Sequence, residues 1–299
     1  MKEIDRFSSL GYVKSIAFSP SGNQIISGGG DSVVLKFWDV ESRKRIVSLK
    51  ENIDFANVVR LSPDGNYLAI GCRDGSIRIW DAVKRRELSF FSAHASYVFD
   101  VRYSGDGRLL ASGGYRSNRS NPKREIRVWE LRSGKELLRI EEGIVSFSFL
   151  PSNDELVVGD SSGTVQIWNV QTRTPQRSVS LMLTPIDRLA VSNDGTRIAA
   201  AGTDGAIKVI DLPSSRVRDV GRQPIGQFGS VSDMSFDPSG RFLATTSDEP
   251  SAGTQVWDAI SGLLLSKSDY GADALAFSPN GRILATGSWD STIRFWSYR

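Results

Sequence analysis

The side chains best suited to catalysis are scarce in this chain. Among 299 residues there is one histidine, His94, and one cysteine, Cys72. Gly159-Asp160-Ser161-Ser162-Gly163 fits the G-x-S-x-G spacing that presents a nucleophilic serine. That motif works on a sharp strand-to-helix turn with a base close by. Here it falls between two strand-like stretches, ELVVGD and TVQIWN, and the only histidine lies far away in the sequence. One Cys and one His cannot make a three- or four-ligand zinc site. No phosphate-binding loop, dinucleotide fingerprint or EF-hand pattern is present. The expectation is a protein with no catalytic residues, no metal and no cofactor.

A repeat must position whatever function remains. VKSIAFSPSGNQIISGGGDSVVLKFWDV begins at Val13, and NVVRLSPDGNYLAIGCRDGSIRIWDAV begins at Asn57. Further copies start near Val98, Ile144, Ile186, Val231 and Asp273, and each closes on Trp38, Trp80, Trp129, Trp168, Ile210, Trp257 or Trp296. The closing positions are 39 to 49 residues apart, a period that signals a repeat architecture. Each copy reads as a short apolar strand, a turn such as SPDG, a second strand, a turn such as RDGS, and an alternating strand such as IRIW. A fourth, more polar strand follows, as in KRIVSLK from Lys44 and GKELLRI from Gly134.

These residues resemble the WD40-repeat family over nearly the whole chain. Trp38-Asp39, Trp80-Asp81 and Trp257-Asp258 match its name-giving dipeptide. Trp129-Glu130, Trp168-Asn169, Ile210-Asp211 and Trp296-Ser297 are degenerate versions. The resemblance implies an all-β, seven-bladed β-propeller of four-stranded antiparallel blades, one domain over residues 1–299. The seventh copy supplies three strands. Its fourth is expected from EIDRFSSL, Glu3 to Leu10, closing the ring and covering an edge open to aggregation.

The resemblance also implies a structural role for His94. In the family a histidine before the first strand bridges a hydroxyl, the closing tryptophan and a turn aspartate. Here Ser112 and Trp129 match two of the partners. The aspartate is missing, because the insertion GGYRSNRSNPKRE replaces the turn. An incomplete set is therefore expected in blade three, with packing and strand pairing alone in the other six.

In WD40 proteins partners dock on the face built by the approaches to the first strands and the turns between second and third strands. Aligning the copies assigns Tyr12 and Lys14 to that face from blade one, and Phe55, Asn57 and Arg73 from blade two. Blade three adds Tyr97, Phe99, Tyr115 and Arg116, and blade seven adds Trp289. Blades four to six contribute Gly143, Val145, Pro185, Asp187, Ser230 and Ser232. The aromatic and basic residues thus fall on one arc, and Trp, Tyr and Arg are the residue types that anchor interfaces.

The expected function is a protein–protein interaction scaffold that binds a protein or peptide, with an acidic segment a natural fit to the basic insertion. Nucleic acid is a second, less favoured partner, since basic and aromatic residues can combine phosphate contacts with base stacking, but net charge is only +3. A third reading is a hydrolase-like propeller using Asp100, Asp187, Asp233 and Asp273 around the channel. No apolar run reaches the ~20 residues of a membrane-spanning helix. The N-terminus lacks an apolar signal segment, so a cytoplasmic or nuclear monomer within a larger complex is expected.

Overall fold

The computed structural model describes residues 1–9, 11–29, 35–49, 56–116, 123–141, 143–181, 184–225, 229–247, 249 and 251–298. Phe55 of the expected arc and Arg119 of the insertion lie outside the described residues.

Seven four-stranded antiparallel sheets account for all the strands among the described residues. Blade one is β2 (Ser15–Phe18), β3 (Gln24–Gly28), β4 (Leu35–Asp39) and β5 (Lys44–Leu49). Blade two is β6 (Ala56–Leu61), β7 (Tyr67–Cys72), β8 (Ser76–Asp81) and β9 (Arg86–Ser92). Blade three is β10 (Ser96–Tyr103), β11 (Leu109–Tyr115), β12 (Arg124–Glu130) and β13 (Lys135–Ile140). Blade four is β14 (Ile144–Phe149), β15 (Glu155–Asp160), β16 (Thr164–Asn169) and β17 (Thr174–Ser180). Blade five is β18 (Ile186–Val191), β19 (Arg197–Gly202), β20 (Ala206–Asp211) and β21 (Arg216–Arg222). Blade six is β22 (Val231–Phe236), β23 (Phe242–Ser247), β24 (Gln255–Asp258) and β25 (Leu264–Lys267). Blade seven is β26 (Ala274–Phe277), β27 (Leu284–Gly287) and β28 (Thr292–Ser297), completed by β1 (Lys2–Ser8). β1 pairs with β28 from Lys2↔Ser297 to Ser8↔Thr292, so the ring closes as the repeat count implied.

Local chemistry explains the hairpins. Six of the seven first turns place a glycine at φ between 62° and 75° (Gly22, Gly65, Gly107, Gly195, Gly240, Gly281). Blade four lacks that glycine and puts Asn153 there at φ 70°, asparagine being the side chain that best tolerates this region.

The core is a set of wedges between neighbouring blades. Ile26, Leu35 and Phe37 of blade one pack on Val59, Leu68, Ile70 and Trp80 of blade two. Val58 and Ile77 of blade two pack on Val101, Leu110 and Trp129 of blade three. Phe7 of β1 stacks on Trp38 at 5.3 Å and meets Phe295 edge-on at 4.7 Å, which locks the closing strand to blade one. Each such buried side chain stabilises the ring by roughly 1.5–3 kcal/mol.

Candidate binding site at the channel mouth

The first strand of every blade faces the central channel. Its mouth is a cavity of about 320 Å³ walled by residues of all seven blades. Lys14, Tyr97, Phe99 and Tyr115 from the expected arc all line it. Tyr97 and Tyr115 lie 6.1 Å apart, and Phe99 meets Tyr115 edge-on at 6.0 Å. The Lys14 ammonium sits 5.1 Å from the Tyr97 ring centre and donates to the Tyr97 hydroxyl. Tyr12 stands beside them, its hydroxyl donating to Asp273 at 3.0 Å.

Arg124 joins these rings as a partner that its place in a basic insertion did not reveal. Its guanidinium lies 5.4 Å from the Phe99 ring centre and 5.9 Å from that of Tyr115, close enough for cation–π attraction. The hairpin β11–β12 explains this, since it pairs Tyr115 with Arg124 and so turns the start of the insertion into strand.

The other arc residues part company. Phe99 also packs edge-on to Phe147 at 6.5 Å and against the core between blades three and four, so its ring is largely wall. Arg73 is exposed beside the cluster, its carbonyl accepting the Tyr97 amide at 2.9 Å. Arg116 is ion-paired with Glu141, which reduces its field toward an approaching partner. Trp289 is 58% exposed in the turn before β28 and lies outside the mouth cavity.

The channel aspartates of the hydrolase reading hold backbone and arginines. Asp233 accepts the Met234 amide and, across the blade boundary, the Leu275 amide, both at 3.0 Å. Asp100 accepts the Val101 amide at 2.9 Å and bridges Arg60 at 3.3 Å and Arg102 at 2.9 Å. Ser15 and Ser146 make similar cross-blade bonds to Val59 and Leu189. Burial pushes the Asp187 carboxyl above its ordinary value, although Arg188 pulls it down. Among the described residues no group of three His, Cys, Asp or Glu side chains is placed to hold a metal ion.

The serine motif also resolves into structure. Gly159 is the penultimate residue of β15, where a Cβ would come within 2.6 Å of Ile186 in the next blade, so the glycine serves close packing. Ser162 bonds Asp160 at 2.6 Å in a strand-to-strand turn. Cys72 is fully buried, and burial pushes its thiol up to about 11, which suppresses the thiolate.

His94 corrects the expectation of an incomplete set. Its Nε2 lies 2.9 Å from the Ser112 hydroxyl, which accepts the Trp129 indole N–H at 2.9 Å. Its Nδ1 lies 3.0 Å from Glu125, and Arg127 reaches the same carboxylate at 2.8 Å. Glu125, the last residue of the insertion, thus stands where the family uses aspartate. A proton on Nδ1 lets the ring donate to Glu125 while Nε2 accepts from the Ser112 hydroxyl. Gly114 lets the ring in, since a Cβ there would lie 2.3 Å from it. Nor do all of the other six blades rely on packing and pairing alone. Trp38, Trp257 and Trp296 donate to Ser27, Thr245 and Thr286 at 3.0, 3.0 and 2.9 Å. In blade six Gln223 takes the histidine's place, accepting from Thr245 and donating to the Gly253 carbonyl, both at 2.8 Å.

Fold and site together define a seven-bladed propeller with its aromatic and cationic residues gathered at one mouth. The chain belongs to the WD40 family: the model described as WD domain, G-beta repeat matches residues 4–39, 45–81, 85–130, 135–169, 183–211, 222–249 and 268–297. It is 30% identical to WD repeat-containing protein SL1-17 of Schistosoma mansoni over 47% of this chain and 46% of that protein. It is 29% identical to human WD repeat and HMG-box DNA-binding protein 1 over 54% of this chain and 15% of that protein. With the guanine nucleotide-binding protein subunit beta of Oryza sativa subsp. indica it shares 26% identity over 52% of this chain and 44% of that protein. The match spans less than half the length of each relative.

Proposed function

We propose that this propeller is a non-catalytic recognition module that holds a protein or peptide segment at the channel mouth. Tyr97, Tyr115, Lys14 and Arg124 contact the segment, and Trp289 anchors its flank. Members of the WD40 family generally serve as scaffolds for protein partners, and one relative is named as a subunit of a larger assembly. The observation that carries the reading is the convergence of these rings and cations, from blades one and three, around one cavity. A rigid ring bears them, so little loop ordering opposes binding. The surplus of cations favours an acidic segment.

Affinity capture with the full chain tests it. Proteins retained by wild type and by Asp154→Arg, a change on the opposite face, should fall tenfold or more with Tyr97→Ala combined with Trp289→Ala. Retention by the double variant and loss with Asp154→Arg would move the site to the other face. The DNA-binding of one relative's name gives a second reading. Steep loss of nucleic-acid binding with added salt, sensitive to Arg124→Gln, would favour it.

A further inference from the structure

Below the aromatic mouth the channel narrows to a waist formed by Arg60 and Arg102. These two line both the upper cavity of about 320 Å³ and a lower one of about 380 Å³. Arg188 faces the upper cavity from blade five. The acids here are engaged in part: Asp100 with Arg60, Arg102 and the Val101 amide, Asp233 with two amides, Asp273 with Tyr12, and Asp187 with Arg188 at 3.5 Å. The arginines have not committed their donors. Arg102 spends only Nε, on Asp100 at 2.9 Å, and among the described residues neither of its terminal nitrogens donates a bond. Arg188 spends Nε on the Ser232 carbonyl at 2.7 Å and Nη1 on the Asp187 carbonyl at 2.9 Å, leaving Nη2 free among the described residues. The side chains of Arg102 and Arg188 remain 28% and 36% exposed, so a ligand in the channel can reach them. Burial, and next the charge of Arg102, press Arg60 below the ordinary arginine value, against the pull of Asp100 and Asp233. The waist therefore presents guanidinium donors that the protein itself leaves unused, and a guanidinium fork matches the geometry of an oxyanion.

We infer that the waist is an oxyanion site, in which Arg102 and Arg188 hold one carboxylate or phosphate group that enters through the mouth past Tyr97 and Tyr115. The inference deepens the recognition reading and rests on it, because the anion is the tip of the bound segment. A partner's acidic side chain or a phosphorylated residue presents the same chemistry to the two forks. The aromatic rings above pack its stem, and the propeller fixes the depth to which it reaches.

The probes are inorganic phosphate and acetate, titrated into the full chain at constant ionic strength with chloride as control. Thermal stability and calorimetric heat are read together, since a ligand of the folded state raises the melting temperature with the logarithm of its concentration above Kd, while the heat saturates as the site fills. At least one anion should give a saturable heat and a raised melting temperature that chloride does not. Preference for phosphate points to a phosphorylated partner, and equal or better binding of acetate to a carboxylate. Arg102→Gln and Arg188→Gln should each weaken that binding tenfold or more, and Arg116→Gln, outside the channel, should leave it unchanged. Arg188 donates mainly to carbonyls, so its variant decides the matter if Arg102→Gln fails to fold. No saturable heat with either anion, or wild-type affinity in Arg188→Gln, overturns the inference. The probes need no partner. Loss of anion binding with capture still dependent on Tyr97 and Trp289 therefore sinks the waist alone, and the reverse pattern sinks the mouth alone.

Discussion

Blades two and three stand side by side with the same strand order, yet their closing tryptophans end differently. Trp129 donates to Ser112, which meets His94, which meets Glu125. Trp80 is fully buried, and its indole N–H has no hydrogen-bond partner among the described residues. The reason is one position: Ile70 pairs with Arg78 where Ser112 pairs with Arg127. An unpaired buried donor costs about 1–3 kcal/mol, and the buried indole surface of Trp80 offsets it. The tryptophan is thus kept for its shape, and the polar chain is an addition. That addition sits in the blade that carries Tyr97, Tyr115 and the long hairpin, where a fixed backbone matters most for presenting a surface.

Blade seven sets the outer scale of the comparison. Removing residues 1–8 strips a whole strand and Phe7 from between blades seven and one. Melting temperature and solubility should fall further than for any single substitution. A truncated chain that melts like wild type would mean that closure does not depend on β1.

His94→Ala should come next, at about 3 kcal/mol by urea denaturation, because it leaves the buried Glu125 carboxylate with Arg127 alone. A loss below about 1 kcal/mol would reduce the polar chain to ornament and erase the contrast with blade two.

The sharpest comparison uses the same change twice. Trp129→Phe breaks a bond to Ser112, and Trp80→Phe removes a donor that had no partner. Both lose similar apolar bulk, so Trp129→Phe should cost more by about 1 kcal/mol. Equal losses would mean that Trp80 finds a partner in solution.

The smallest effect is one of pH. Burial pushes the Glu125 carboxyl up, but the bonds from His94 and Arg127 outweigh it and hold the group below its ordinary 4.5. A carboxyl depressed by folding adds stability that is complete above its unfolded value and lost as pH falls through the folded one. The stability difference between wild type and Glu125→Gln should be flat from pH 7 to about 5 and shrink below that. A difference that grew on acidification would place Glu125 in a protonated state instead.

Much of this protein was legible before its structure. Turn glycines, strand alternation and the closing tryptophans are local features, and each copy repeats them, so blade count, strand order and closure followed from residue types alone. The mouth was legible in part. Lys14, Tyr97, Phe99 and Tyr115 sit at repeat positions that register assigns to one face. Two things needed the folded ring. Glu125 reads as the end of a basic loop, and only the extended pairing of β11 with β12 carries it under His94. Arg60, Arg102 and Arg188 read as ordinary polar residues of three separate strands. Only closure brings blades two, three and five around one axis, and there the cost of confining like charges turns single side chains into a shared waist. Local sequence encodes backbone conformation, but charge that accumulates across a ring is a property of distances that no one repeat contains.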